Sequence, residues 1–150
     1  MEIERKFLIE KIPFDLSAYP SSRIEQGYLS TNPVVRIRRS DDEYILTYKS
    51  KGFLSREEYN LPLTKESYEH LKPKADGIFI QKFRYRIPYQ DKYTIELDLF
   101  LEDLASLILA EVEFSSVEEA NAFIAPDWFS KEVTYESKYH NSTLSEKSPF

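Results

Sequence analysis

The sequence predicts a mainly β protein of the α+β class, an antiparallel sheet or barrel carrying a few short helices. Three observations lead there. Apolar and polar residues alternate at a period of two through most of the chain. Turn sequences such as "SDDE", "SKGF" and "YQDK" separate the alternating runs at short intervals. Only two longer segments open with a capping residue and read as helices.

In chain order, "EIERKFLI" (2–9) is the first alternating run, and "PFDLSAYP" (13–20), bounded by prolines, holds only a short helical turn. "IEQGYLS" (24–30) and "VVRIRRS" (34–40) follow. "SDDE" (40–43) turns the chain into "EYILTYKS" (43–50), and "SKGF" around Gly52 turns it into "LSREEYNLPL" (54–63). "TKESYEHLK" (64–72) begins with a threonine and an early glutamate, as helix N-termini do. "IFIQKFRYRIPY" (78–89), the turn "YQDK", "KYTIELDLFL" (92–101) and "LILAEVEF" (107–114) complete the strands. "SVEEANAFI" (116–124) is a second helix with Ser116 as its cap. Neither a repeat nor a linker divides the chain, so residues 1–150 make one domain, with a polar, frayed tail expected from about 143.

Composition removes several function classes. The formal charge of -6 argues against a nucleic-acid partner, which calls for a basic field. With no cysteine there are no disulfides or thiolate metal sites, and a reducing cytoplasm is compatible. The acidic start has no apolar run of a secretory leader, and no segment is long and apolar enough to span a bilayer. A soluble cytoplasmic protein without a membrane partner is expected. Three glycines cannot build a Walker or Rossmann phosphate loop. His70 and His140 lack metal-ligand spacing and read as surface or hydrogen-bonded histidines.

Residues two apart in a strand share a face, and here that face is charged. Glu2, Glu4 and Lys6 share one; Arg36 and Arg38 another. Thr47, Lys49 and Lys51 line up, as do Arg56, Glu58 and Asn60. Lys82, Arg84 and Arg86 share a face, as do Glu96 and Asp98, and Glu111 and Glu113. Any one of these strands could simply be half-buried with its polar face in water. Like charges recurring at i and i+2 across several strands repel, however, unless opposite charges converge among them. A shared cavity resolves this. Arginines and lysines hold phosphate oxygens, and carboxylates hold Mg²⁺ or Mn²⁺ as hard oxygen ligands.

The ordered series "EIERKF", "QGYL", "VRIRR", "LTYKSKG", "REEY", "KFRYR", "IELDLF", "AEVEF" and "EVTYESKYHN" resembles the CYTH superfamily of triphosphate tunnel metalloenzymes over nearly the whole chain. The resemblance implies a closed eight-stranded antiparallel barrel around a polar tunnel, with helices outside. Ile3, Phe7 and Ile9 would then form an apolar layer under those helices. Glu2, Glu4, Asp98, Glu111 and Glu113 would be metal ligands for one or two Mg²⁺ or Mn²⁺ ions, with Glu96 on the same face. Arg36, Arg38, Lys49, Lys82 and Arg84 would clamp the triphosphate, with Arg56 as a further contact; Lys51 and Arg86 lie nearer strand ends and face water. Lys6 and Tyr28 resemble the lysine–tyrosine pair of the small bacterial tripolyphosphatase branch and would act in catalysis.

The implied activity is metal-dependent hydrolysis of a triphosphate, inorganic tripolyphosphate first, with water attacking in line and orthophosphate leaving. The alternatives are an adenylyl cyclase of this class, a thiamine triphosphatase, and a non-catalytic polyphosphate- or nucleotide-binding module. The partner is a small-molecule polyphosphate or nucleoside triphosphate, and a homodimer is left open. Trp128 is expected to pack on the barrel exterior. Asn60 stands where relatives often carry a glutamate; an amide can hold a water but cannot act as a base. Because Glu2 follows Met1 directly, a long N-terminal fusion is expected to lower activity more than a C-terminal one; equal activities would refute this.

Overall fold

The structure, a computed structural model, describes residues 1–145. The strands are β1 (Glu2–Leu8), β2 (Ser21–Thr31), β3 (Val34–Ser40), β4 (Glu43–Lys49), β5 (Ser55–Arg56), β6 (Glu58–Pro62), β7 (Asp76–Tyr89), β8 (Tyr93–Phe100) and β9 (Ile108–Glu113). The helices are short: α1 (Lys65–Leu71), α2 (Val117–Ala122) and α3 (Asn141–Leu144). None of them is long and apolar enough to cross a membrane.

All strands pair antiparallel in the order β5-β1-β9-β8-β7-β2-β3-β4-β6. The sheet is nearly closed on itself. Its two ends, β5 and β6, are consecutive in the chain with only Glu57 between them. β5 pairs with β1, and β6 pairs with β4. The eight strands expected therefore count as nine, because segment 55–62 changes partner at Glu57 and its ladder breaks there. The single run "LSREEYNLPL" carries no alternation signal for such a change of partner.

The pleat divides the apolar residues into two cores. Outside the barrel, Ile3, Phe7, Ile87, Ile95, Leu97, Val112 and Phe114 pack under α2 and the segment holding Phe123 and Phe129. Trp128 joins this layer, edge-on to Phe14 and Phe129 at centroid distances of 5.2 and 4.7 Å. The second core lies on the inner face. Leu8, Val34, Ile80, Phe100 and Leu109 each sit two residues from a charged inward residue of their strand, and they pack with Tyr28, Leu104, Val133 and Leu144. One end of the barrel interior is thus stopped by apolar side chains, and α3 contributes to the stopper. Residues 143–145 are packed rather than forming the frayed tail expected from about 143. Leu144 is buried, and Ser145 accepts a hydrogen bond from the Ile78 amide at 2.7 Å. The remainder of the expected tail, 146–150, lies outside the described residues.

Local chemistry explains the irregular points. The β2–β7 register shifts at Gly27, where a Cβ would stand 2.7 Å from the Phe79 ring, so any larger residue would have to displace that ring. Thr64 caps α1 in a reciprocal box with Ser67, and Ser116 caps α2 by accepting from the Glu119 amide.

Arg5 faces outward between Glu4 and Lys6 and ties β1 to the C-terminal segment. Its guanidinium donates to Glu132 at 2.8 and 2.7 Å and to the carbonyls of Ala120 and Phe123 at 2.9 and 3.0 Å. Arg5→Ala is expected to destabilise the protein by about 2 kcal/mol, because Glu132 and two carbonyls lose a half-buried donor. Thermal unfolding measures this; a melting temperature within a degree of wild type would show that the clamp contributes nothing.

Candidate active site

Above the apolar stopper, the inner face of the barrel encloses a cavity of about 180 Å³. Six glutamates and six lysines or arginines line it, and every strand supplies at least one lining residue. Register brings them into rows. Glu4 stands opposite Glu113, Lys6 opposite Glu111, Tyr28 opposite Arg36, Glu2 opposite Arg56, Lys49 opposite Glu58, and Glu96 opposite Glu111.

The cations fall into two groups. Most are held by carboxylates. Lys49 donates to both oxygens of Glu2 at 2.9 and 3.1 Å and lies 3.4 Å from Glu58. Arg56 reaches Glu2 at 3.4 Å, and Lys6 reaches Glu111 at 3.3 Å. Arg84 is gripped by Asp98 through parallel bonds of 2.8 and 2.9 Å and touches Glu96 and Glu111 at 3.4 Å. Burial works against its charge, but Asp98 and Glu96 outweigh burial and hold the guanidinium firmly protonated.

Arg36 and Arg38 form the other group, with no carboxylate partner among the described residues. Arg36 is buried, its Nε has no partner, and its Nη2 meets only the Thr47 hydroxyl at 3.4 Å. Arg38 donates Nε to the Gln26 amide oxygen at 2.8 Å. Burial, then Arg36 and Arg84, push the Arg38 pKa down to about 9. Two adjacent guanidinia with no carboxylate in contact among the described residues make a strong demand for an anion.

The carboxylates divide similarly. Burial raises Glu111, but Lys6 and Arg84 outweigh it and hold the carboxyl well below the usual range. Glu4 enters no ion pair among the described residues. Burial, then Glu111 and Glu2, push it up to about 8 against the pull of Lys49 and Lys6. Glu113, directly across the ladder, is raised by burial and by Glu2, Glu96 and Glu58. Like charges directly opposite in an antiparallel pair are destabilising unless a cation joins them.

Of the residues singled out in the sequence, Glu2, Glu4, Lys6, Tyr28, Arg36, Arg38, Lys49, Arg56, Arg84, Glu111 and Glu113 all line this cavity. Lys82 and Asp98 do not. Both are fully buried behind Arg84 and are paired with each other at 2.7 Å. Burial pushes Lys82 down to about 7, whereas Arg84 and Lys82 outweigh burial and hold Asp98 below its usual value. In the structure Asp98 bonds both Arg84 and Lys82 instead of facing the open cavity. The reason is position: two residues towards the stopper, the inner face is already closed.

Lys6 and Tyr28 share the cavity without a mutual hydrogen bond in the structure; Lys6 bonds the Tyr139 carbonyl at 3.2 Å. Of the two readings offered for His140, surface or hydrogen-bonded, the second holds, with a bond to the Thr134 backbone. His140 lines the cavity, and burial, then Lys6 and Arg56, push its pKa down to about 4, so it is neutral at pH 7. Glu58, Glu96 and Asn141 also line the cavity. Asn141 and His140 close the quoted "EVTYESKYHN", the one sequence signal that could have placed them there. Lys51 is exposed, whereas Arg86 lies within β7, half-buried, and bonds Ser22 at 3.0 Å outside the cavity instead of facing water.

The CYTH domain family pattern matches residues 1–125. The chain is 42% identical over 147 residues to an inorganic triphosphatase of Nitrosomonas europaea, covering 95% of both chains. It is 34% identical over 148 residues to an inorganic triphosphatase of Acetivibrio thermocellus, covering 95% of this chain and 92% of that one. Among solved structures, the inorganic triphosphatase NE1496 matches with a TM-score of 0.74 at 37% identity, covering 100% of this chain and 97% of that one. The protein HpAC1 from Hippeastrum matches with a TM-score of 0.62 at 15% identity, covering 81% and 83%, a likeness of fold alone.

Proposed function

The chain belongs to the CYTH domain family, and from that premise we propose that it is a divalent-metal-dependent triphosphatase acting on inorganic tripolyphosphate. The observation that supports this best is the pair Arg36 and Arg38, which line the cavity with no carboxylate in contact among the described residues, beside Glu4, which enters no ion pair among them. A polyanion and a hard cation together satisfy both.

The donor set fits Mg²⁺ or Mn²⁺. Glu4 and Glu113 offer carboxylate oxygens opposite each other, both raised by burial and by neighbouring carboxylates, and Glu2 and Glu111 stand beside them. Among the described residues no three such side chains already stand close enough to hold an ion. A bound divalent cation would neutralise phosphate oxygens and lower the pKa of a water.

The residues of the chain do the rest. Arg36 and Arg38 take the phosphate oxygens through planar forks, which neutralises charge and fixes the phosphorus for in-line attack. Arg84, locked by Asp98, presents its guanidinium without having to be ordered on binding. Lys49 and Arg56 share Glu2 and can turn from it to a phosphate. Lys6, close to Glu111 and the Tyr139 carbonyl, supplies positive charge beside Tyr28. Walls of protein and the apolar stopper limit water around the reacting phosphorus.

Product analysis tests the reading. With Mg²⁺ or Mn²⁺ the protein should convert tripolyphosphate to orthophosphate and pyrophosphate, and chelation of the metal should abolish this. Cyclic AMP from ATP, or tight tripolyphosphate binding without turnover, would overturn it.

A further inference from the structure

Arg36 owes its unpaired state to its neighbours. In the β3–β4 register Thr47 stands directly opposite Arg36, and in the β4–β6 register Asn60 stands directly opposite Thr47. The three side chains form one row on the inner face, from the buried Arg36 through the buried Thr47 to the exposed Asn60 at the rim. The Thr47 hydroxyl donates to the Asn60 amide oxygen at 2.6 Å, which commits its proton. A lone pair of the Thr47 hydroxyl oxygen accepts from Arg36 Nη2 at 3.4 Å. On its other side the Asn60 amide nitrogen donates to Glu58 at 3.4 Å, and Glu58 pairs with Lys49 at 3.4 Å. Glu58 and Arg36 already attract each other through space, and in the row of side chains that joins them the neutral Asn60 amide touches Glu58 while Thr47 touches Arg36.

We propose that Asn60 is a positioning residue that sets the anion affinity of the cavity by keeping a second carboxylate, beyond Glu58, out of the row that reaches Arg36, an inference that rests on reading the cavity as a triphosphate site. An aspartate of nearly the same size would accept the same Thr47 proton, so the row would survive. It would also place a carboxylate within reach of Arg36 and next to Glu58. Its charge would draw the guanidinium toward the rim and compete with phosphate oxygens for it. Asparagine has the shape of that residue without its charge.

The test compares Asn60→Asp, Asn60→Ala, Thr47→Val and Thr47→Ser. Tripolyphosphate is titrated into metal-free protein by calorimetry, and steady-state rates are measured with metal. For Asn60→Asp, Kd and KM should rise about tenfold with kcat within about threefold of wild type. Asn60→Ala and Thr47→Val lose the anchor without adding charge, and should weaken binding by only about twofold to threefold. Thr47→Ser keeps the hydroxyl and should match wild type. An unchanged Kd for Asn60→Asp, or equal weakening by Asn60→Asp and Asn60→Ala, would overturn the proposal, as would a fall in kcat at constant KM. If wild-type protein binds tripolyphosphate without hydrolysing it, the proposed activity fails, yet the Kd series still decides the role of Asn60.

Discussion

Arg38→Gln will lower kcat/KM for tripolyphosphate about 10²–10³-fold, the usual loss when one preorganised charged donor is removed from a phosphoryl-transfer site. It will also raise the melting temperature of the ligand-free protein. Both effects share one cause. Arg38 is pressed to about 9 by burial and by Arg36 and Arg84, so its charge is held at a cost until an anion arrives. Glutamine keeps a donor for Gln26 and removes the cost. Arg38→Lys should recover only part of the activity, because an ammonium lacks the planar fork. A variant that loses activity and stability together would show that Arg38 is part of the framework rather than a strained binding group.

Glu4→Gln is the acidic counterpart. Metal-dependent activity should fall about 10²–10³-fold, while the metal-free protein becomes more stable. The sign depends on pH. A carboxyl raised from 4.5 to about 8 weakens the fold as pH climbs through that window, since the folded protein must keep a proton that the unfolded chain would release. Near pH 4.5 wild type and variant should therefore melt alike. Above pH 8 the variant should melt several degrees higher, on the order of 1–2 kcal/mol. Identical melting curves at pH 8.5, or a destabilised variant there, would mean that the Glu2, Glu4 and Glu111 carboxylates do not strain the cavity.

The strands and the charged inner face were legible in the sequence because both are carried by a period of two. Glu2, Glu4 and Lys6 must share a face whatever the strand pairs with, and the same holds for Arg36 with Arg38 and Glu111 with Glu113. Depth along the tunnel was not legible. Nothing in "KFRYR" or "IELDLF" shows that Lys82 and Asp98 meet behind Arg84 while Glu96 stays open to the cavity; that follows from stagger between β7 and β8. Arg5 and Glu132 meet across 127 positions on the outer face, where the alternation predicted an apolar residue. His140 was missed because its role depends on the stopper that α3 completes, and a short terminal helix has little periodicity to read. The row from Arg36 to Asn60 needed two registers, and neither is written in one strand alone.

Crystals grown with Mn²⁺ and a non-hydrolysable imido analogue of tripolyphosphate give the most direct test. Anomalous scattering should place the metal beside Glu4 and Glu113, with phosphorus atoms within hydrogen-bond reach of the Arg36 and Arg38 guanidinia. Metal and analogue found on the outer wall of the barrel, or a cavity that excludes both at saturating concentration, would contradict the account.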